Sequence, residues 1–288
     1  SLEQSTLSGG INNSGLIQTI YSGSSSAIAI SLNNSVLSGG ITNSGTITSP
    51  YDGIGIALYQ STLSGGITNS GMIDVGRAAI NLSQSVLSGG INNSGTISGY
   101  YGIKIDNSTL LGGISNSGKI ATANADVYLN NSSLSGGVNN SGFIGSDSSA
   151  GIYSYNSSIS DGISNGGTIS GYSGIRLSNS TLSGGIINSG MIFGGRSAIF
   201  LSQSSLSGGI NNSGFIYGDN SSIRLYRSTL SGGIANAGSI GGYKGIAFNY
   251  SSLSGGIHNS GTISIGGTGI GLSRSVLSGG ITNSGAIV

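Results

Sequence analysis

A thirteen-residue segment recurs twelve times along this chain and constrains its fold more than any other feature. The segment is Ser-x-Leu-Ser-Gly-Gly-Ile-x-Asn-Ser-Gly-x-Ile, where x varies, and its spacing settles to 23 to 25 residues after two longer opening copies. Such a period is typical of architectures in which each copy stacks on its neighbours. The third position is held, in order, by Leu7, Leu37, Leu63, Leu87, Leu110, Leu134, Ile159, Leu182, Leu206, Leu230, Leu253 and Leu277.

The residues between segments end in an alternating run, such as Gly-Ile-Gly-Ile-Ala-Leu at residues 53–58. A period of two is typical of β-strands, and the 56 glycines disfavour helix. We therefore expect three short strands in each copy, one centred on Leu37, one over residues 41–47 and one over residues 54–58. Gly-Gly and Asn-Ser-Gly are expected to form the corners.

The predicted fold is all-β: a right-handed parallel β-helix, or β-solenoid, of about twelve coils with three short strands each and typically 23–25 residues per coil. Residues 1–288 are expected to form this single domain, without a capping element. One coil cannot bury enough aliphatic surface to offset the entropy of ordering it, so Leu must stack on Leu in continuous columns. The right-handed form is expected because the coils are longer than the three-hexapeptide coils of left-handed β-helices.

One asparagine recurs at the same phase in every copy. Asparagine tolerates the left-handed conformation of a tight corner, and stacked side-chain amides can form a hydrogen-bonded ladder. We therefore predict a structural ladder of Asn13, Asn43, Asn69, Asn93, Asn116, Asn140, Asn165, Asn188, Asn212, Asn236, Asn259 and Asn283.

Three further rows recur beside the asparagines. The glycine two residues later, from Gly15 to Gly285, predicts a positive φ. A serine two residues before each anchor, from Ser5 to Ser275, predicts a second ladder. The position before that serine, called the amide row below, is expected to form a corner ladder of Gln4, Asn34, Gln60, Gln84, Asn107, Asn131, Asn156, Asn179 and Gln203, continued by Arg227, Tyr250 and Arg274.

Charge and composition narrow the possible partners. The formal net charge is +1 and the nine Lys/Arg are scattered, so no basic patch predicts nucleic-acid binding. No apolar stretch approaches the length that spans a bilayer, so we expect no membrane insertion of this segment. The absence of cysteine excludes disulfides and thiolate metal sites.

Catalytic chemistry is not expected. Polysaccharide-active solenoids gather carboxylates on one face, whereas most acidic residues here occupy different phases of the repeat. Asp147 and Asp219 share a phase but lie three coils apart, and His258 has no carboxylate at its phase. We predict no catalytic residue, no metal and no cofactor, and keep a polysaccharide-active enzyme as a minor alternative.

One surface stripe is distinctive. The outward residue of the third expected strand is aromatic or cationic on six successive coils. Exposed aromatics interleaved with cations suit sugar stacking or protein contact. The possible binding stripe consists of Lys104, Tyr128, Tyr153, Arg176, Phe200 and Arg224.

The phrase Gly-Gly-Ile-Thr-Asn-Ser-Gly-Thr-Ile at residues 39–47, nearly unchanged at residues 279–287, resembles the repeats of passenger regions in bacterial autotransporter adhesins. The likeness extends over the whole chain and carries no catalytic residues. It implies a right-handed parallel β-helix outside a Gram-negative cell, extracellular or on the cell surface, serving as an adhesin or a stalk. Host or neighbouring cell-surface glycans or proteins are the implied partners.

An alternative function follows from the expected open sheet edges at the two ends of the solenoid. Unpaired strand edges template further pairing. The chain is then a filament subunit that associates with itself, end to end or laterally.

Overall fold

A computed structural model of the chain describes residues 1–20 and 27–288, and all regular elements in these residues are β-strands. Every strand pairing is parallel and joins equivalent positions of neighbouring coils, as in Leu63 with Leu87 and Ile67 with Ile91. The predicted parallel β-solenoid is therefore confirmed. Its strands form a 21-stranded sheet and two 12-stranded sheets, called sheets A, B and C.

Sheet B carries the anchor leucines on two-residue strands. These strands are short because the Gly-Gly corner follows one residue after each anchor. They are Thr6–Leu7, Val36–Leu37, Thr62–Leu63, Val86–Leu87, Thr109–Leu110, Ser133–Leu134, Ser158–Ile159, Thr181–Leu182, Ser205–Leu206, Thr229–Leu230, Ser252–Leu253 and Val276–Leu277.

Sheet C follows the Gly-Gly corner with three-residue strands. Their first and third residues point inward and the middle one outward, the alternation of a pleated strand. They are Ile11–Asn13, Ile41–Asn43, Ile67–Asn69, Ile91–Asn93, Ile114–Asn116, Val138–Asn140, Ile163–Asn165, Ile186–Asn188, Ile210–Asn212, Ile234–Asn236, Ile257–Asn259 and Ile281–Asn283.

Sheet A contains two rows of strands. The first row follows the Asn-Ser-Gly corner and comprises Leu16–Gln18, Thr46–Ser49, Met72–Val75, Thr96–Gly99, Lys119–Thr122, Phe143–Ser146, Thr168–Ser170, Met191–Gly194 and Ala286–Ile287. The second row comprises Leu2–Glu3, Ile28–Asn33, Ile54–Tyr59, Ala78–Ser83, Tyr101–Asp106, Val127–Asn130, Ala150–Tyr155, Ser173–Ser178 and Ser197–Ser202. The two rows merge in the long strands Phe215–Tyr226, Ser239–Asn249 and Thr262–Ser273.

The second expected strand of each coil is divided in two. In the coil of Leu37, residues 41–47 belong partly to Ile41–Asn43 in sheet C and partly to Thr46–Ser49 in sheet A. The Asn-Ser-Gly triplet therefore turns the chain between two sheets. Each coil contributes strands to three sheets and has as many as four strands.

The core is a set of aliphatic columns along the axis. Leu63, Ile67 and Ile73 are fully buried, and each pairs with an identical residue of the next coil. Burying one such side chain is worth about 1.5–3 kcal/mol. The columns are continuous, so every coil buries its neighbours' aliphatic side chains as well as its own.

The residues in the left-handed backbone conformation are not the ladder asparagines or the glycines two residues after them, for which it was predicted. All twelve positions of the amide row have φ between 47° and 51°, whereas the ladder asparagines do not adopt positive φ. The second glycine of Gly-Gly has φ between 67° and 84° from Gly137 onward. The sharp corners are therefore the amide row and, in the later coils, the Gly-Gly pair.

The glycine of Asn-Ser-Gly is required by close approach of the backbone. Its predicted positive φ is wrong, because no glycine of this row is in the left-handed region. A Cβ atom on Gly167 would lie 2.0 Å from the carbonyl oxygen of Gly142 in the preceding coil. Only a residue without a side chain permits the coils to stack there at strand spacing.

Replacing Gly167 with alanine should therefore destabilise the solenoid by about 1–3 kcal/mol or more, because the added methyl group overlaps backbone that cannot move independently. Urea unfolding followed by circular dichroism measures the loss. The matched control is Gly166→Ala at the neighbouring position, where the nearest atom to the new Cβ is 3.6 Å away. Equal stability of the two variants would contradict the explanation.

Candidate functional site

The twelve predicted asparagines form one continuous column. The Nδ2 of each except the last, Asn283, donates to the Oδ1 of the asparagine in the next coil at 2.7–2.8 Å. Each Nδ2 also donates to the carbonyl oxygen two residues later, as Asn140 does to Gly142 at 3.2 Å. Eleven of the twelve side chains belong to buried residues, Asn283 being exposed. The column therefore joins neighbouring coils through side-chain hydrogen bonds inside the protein.

The serine row forms a second column of hydrogen bonds. The backbone N–H of each serine donates to the Oγ of the serine in the next coil at 2.9–3.1 Å. The amide row differs, because no described pair of its side-chain amides is hydrogen-bonded between coils. Its one described side-chain amide bond runs from Asn34 to the adjacent Asn33. The expected ladder is therefore not formed by these amides. In the last three positions of the row, Arg227 and Arg274 lie over the Tyr250 ring, and Arg274 donates to the Tyr250 hydroxyl.

Charged side chains are concentrated on sheet A. Of the 17 acidic and basic residues in the chain, 14 lie in sheet A strands or in the bridges between its two rows. Sheets B and C instead present short outward side chains, together with Ile187 and His258. The 14 are Glu3, Asp52, Asp74, Arg77, Lys104, Asp106, Lys119, Asp126, Asp147, Arg176, Arg196, Asp219, Arg224 and Lys244.

The six residues of the predicted stripe lie on adjacent coils of sheet A, all half-buried. The strand register pairs each with the next, from Lys104 with Tyr128 to Phe200 with Arg224. The rings of Tyr128 and Tyr153 are 5.4 Å apart between centroids. Lys104 forms an ion pair with Asp106 beside it. The structure thus brings all six together in one stacked row.

The two arginines of the stripe lie over the rings of their neighbours in the row. The Arg176 guanidinium carbon lies 4.9 Å from the Tyr153 ring centroid and 5.7 Å from that of Phe200. Arg224 lies 5.1 Å from the Phe200 centroid on the following coil. Phe200 is therefore sandwiched between two guanidinium groups, so it has no free face on which a sugar could stack. What the row offers outward is ring edges, hydroxyl groups and guanidinium N–H donors.

The arginines of this region have no acidic partner. Lys104–Asp106 is the one ion pair among the described residues. Desolvation lowers the pKa of Arg224, and the positive charge of Arg196 lowers it further. Arg196 donates to the Tyr172 hydroxyl at 3.4 Å, and Arg176 to Ser178 at 3.3 Å. None of these guanidinium groups forms an ion pair. The nearest acid along this part of sheet A is the exposed Asp219, on the coil after Arg196, where the backbone N–H of Asn220 donates to the Arg196 carbonyl oxygen.

Asp126 is a buried acid that sequence analysis did not single out. Its residue is 0% exposed and neither carboxyl oxygen has a hydrogen bond of good geometry, nor does the buried hydroxyl of Thr122. Burial raises the pKa of this carboxyl to about 9, with Thr122 opposing the rise and Asp147 adding to it. The equivalent residue of the other coils is Gly, Ala or Ser. A single aspartate among these small residues is the sequence feature from which this buried acid could have been predicted.

Asp147, Asp219 and His258, which the sequence analysis considered for catalysis, lie apart from one another. Asp147 and Asp219 are exposed and lie on coils three apart. His258 is exposed on sheet C, paired in register with Ala235 and Thr282. No group of three or more His, Cys, Asp or Glu that could hold a metal ion occurs among the described residues.

Comparison of the chain with protein-family models, with curated proteins and with solved structures gives no match. The part of the chain that the structure describes contains no helix capable of crossing a bilayer. The site's interpretation therefore depends on its own geometry.

Replacing Asn140 with alanine should lower the free energy of unfolding by about 2–4 kcal/mol, because it leaves the buried amides of Asn116 and Asn165 each without a ladder partner. Chemical denaturation measures the change. Asn139→Ala is the matched control, since Asn139 is exposed on the outward face of the same strand. A loss no larger than that of the control would contradict the ladder's stabilising role.

Asp126 should make the protein less stable as pH rises. Below pH 3.8 its carboxyl is protonated in both states, and from there to about pH 9 only the native state keeps the proton. The free energy of unfolding should therefore fall through this window, by at most about 1.4 kcal/mol per pH unit.

Asp126→Ser should flatten that pH dependence and raise stability at neutral pH. Urea unfolding of the unsubstituted protein and the Asp126→Ser variant is measured at about pH 5 and about pH 8. Between these values the Asp126 carboxyl is protonated in the native state and ionised in the unfolded state. Asp147→Ser, which removes an exposed acid nearby, should keep the slope. A slope that persists unchanged in Asp126→Ser would show that Asp126 is not its origin.

Proposed function

We propose that the chain is a non-catalytic extracellular or cell-surface rod that attaches to a partner through the stripe on sheet A. The observation that carries the proposal is the unequal use of the surface. Apart from Ile187 and His258, sheets B and C present short side chains, whereas sheet A and its bridges carry the stripe and 14 of the 17 charged residues. An interface core favours aromatic residues and arginine over small polar ones. The stripe is the surface that fits this description.

The ladders support a mechanical part of this role. The asparagine column lies in the interior and binds coil to coil, so substitutions on the outside of sheet A leave it intact. A rod with its own internal bonding can display a variable face without losing its fold. The resemblance to autotransporter passengers supports display outside a cell, where a rod can hold a contact surface at a distance from the cell surface.

The double variant Tyr153→Ser with Arg176→Ser should lose binding on an array of neutral and acidic glycans and surface proteins, because it removes adjacent members of the stripe. Circular dichroism and the unfolding midpoint establish that it folds. Tyr250→Ser with Arg274→Ser is the matched control, as it removes another cation–π pair, 5.2 Å apart, outside the stripe.

Binding retained in the stripe variant, or lost equally in the control, would refute the proposed contact surface. Shortening of the glycans during the assay would favour the enzyme alternative. Negative-stain microscopy distinguishes the proposed function from the filament alternative. Long fibres of uniform width would indicate a filament subunit, whereas short separate rods would support the proposed function.

A further inference from the structure

Charge is distributed unevenly along the solenoid axis. Residues 1–165 contain three basic and seven acidic residues, whereas residues 166–288 contain six basic residues and one acidic residue, Asp219. Opposite signs cancel in the overall net charge of +1. The stripe crosses this boundary, so its first cation, Lys104, is paired with an acid and its later cations, Arg176 and Arg224, are not.

Three arginines form a cluster in the basic part of sheet A. Arg176 and Arg224 lie on either side of Phe200, two coils apart, which is roughly 9–10 Å at strand spacing. Arg196 lies in the bridge that precedes the strand of Phe200 and is close enough to Arg224 to disfavour its charge. Arg176 and Arg224 are half-buried, whereas Arg196 is exposed. Like charges gathered without an ion pair disfavour one another unless a ligand compensates them.

We propose that Arg176, Arg196 and Arg224 bind the anionic groups of a linear acidic polysaccharide. The inference rests on the proposed function, since it names the ligand class of the stripe. A guanidinium group offers a planar fork of N–H donors that matches a carboxylate or a sulfate. The hydroxyl groups of Tyr128 and Tyr153, next along the row, can bond to the uncharged hydroxyl groups of the same chain.

Two features favour a polysaccharide over other polyanions. Single-stranded nucleic acids are bound by stacking bases on aromatic faces, and both faces of Phe200 are covered by arginines. Clusters of basic residues that bind an anionic membrane lie beside a membrane-spanning helix or on an amphipathic helix, whereas all regular elements in the described residues are β-strands. A linear acidic polysaccharide carries anionic groups separated by neutral sugar hydroxyls. The row likewise has its cations, Arg176 and Arg224, separated by Phe200 and followed by the tyrosine hydroxyls.

The experiment measures binding of the full chain to four immobilised probes at low salt: a linear polyuronate, its carboxyl-reduced neutral counterpart, a sulfated polysaccharide and a single-stranded oligonucleotide. The chain should bind the polyuronate or the sulfated polymer and not the neutral one, and the preferred polymer identifies the anionic group. Arg176→Gln with Arg224→Gln should weaken that binding roughly 10- to 100-fold.

The control is Arg227→Gln with Arg274→Gln, which removes the same charge from the same half of the chain but outside sheet A. It should weaken binding only about twofold to threefold, the effect of distant charge under partial screening. Equal losses in the two double variants, equal binding of the neutral polymer, tighter binding of the oligonucleotide, or no binding to either acidic polymer would each overturn the inference. The proposed function fails separately, when the Tyr153→Ser, Arg176→Ser variant keeps its binding on the glycan and protein array.

Discussion

Hydrogen bonding along the axis, from each coil to the next, is the constraint on which the rest of this structure depends. Strands of two or three residues in sheets B and C have no stability of their own, so each exists only as one member of a twelve-stranded sheet. The asparagine column adds side-chain bonds in the same direction. A slip of one residue would turn Asn140 outward and its neighbour inward, and the column therefore specifies the register as well as stabilising it.

Stacking also determines how function can be placed on such a rod. Residues of one phase lie one above another at about 4.8 Å, so any recurring residue becomes a line on the surface. The inward lines and the close-packed corners tolerate little change, as the contact between Gly167 and Gly142 shows. The outward residues of sheet A have no such limit, and most of the aromatic and charged side chains are found on this sheet and its bridges.

The repeat permits the coils, their parallel pairing and the identity of each column to be predicted, because a fixed period places like residues at like positions. Details that depend on backbone geometry could not be predicted in this way. A glycine can recur in a sequence because its φ is positive or because another backbone segment lies too close for a side chain. Gly167 is glycine for the second reason. Residues 41–47 look like one alternating strand, yet the corner after Asn43 divides them between two sheets.

The stripe illustrates the same limit for the candidate site. Its six members and their order follow from the repeat, but strand spacing decides what they can do. Rings and guanidinium groups on adjacent coils are close enough to cover one another, so both faces of Phe200 and one face of Tyr153 are engaged within the row that the sequence suggests for sugar stacking. The stack also restrains Arg176 and Arg224 before any ligand arrives, which reduces the entropy lost on binding. An anion at these arginines would relieve the repulsion between Arg196 and Arg224, a gain that Lys104 cannot offer because Asp106 already neutralises it.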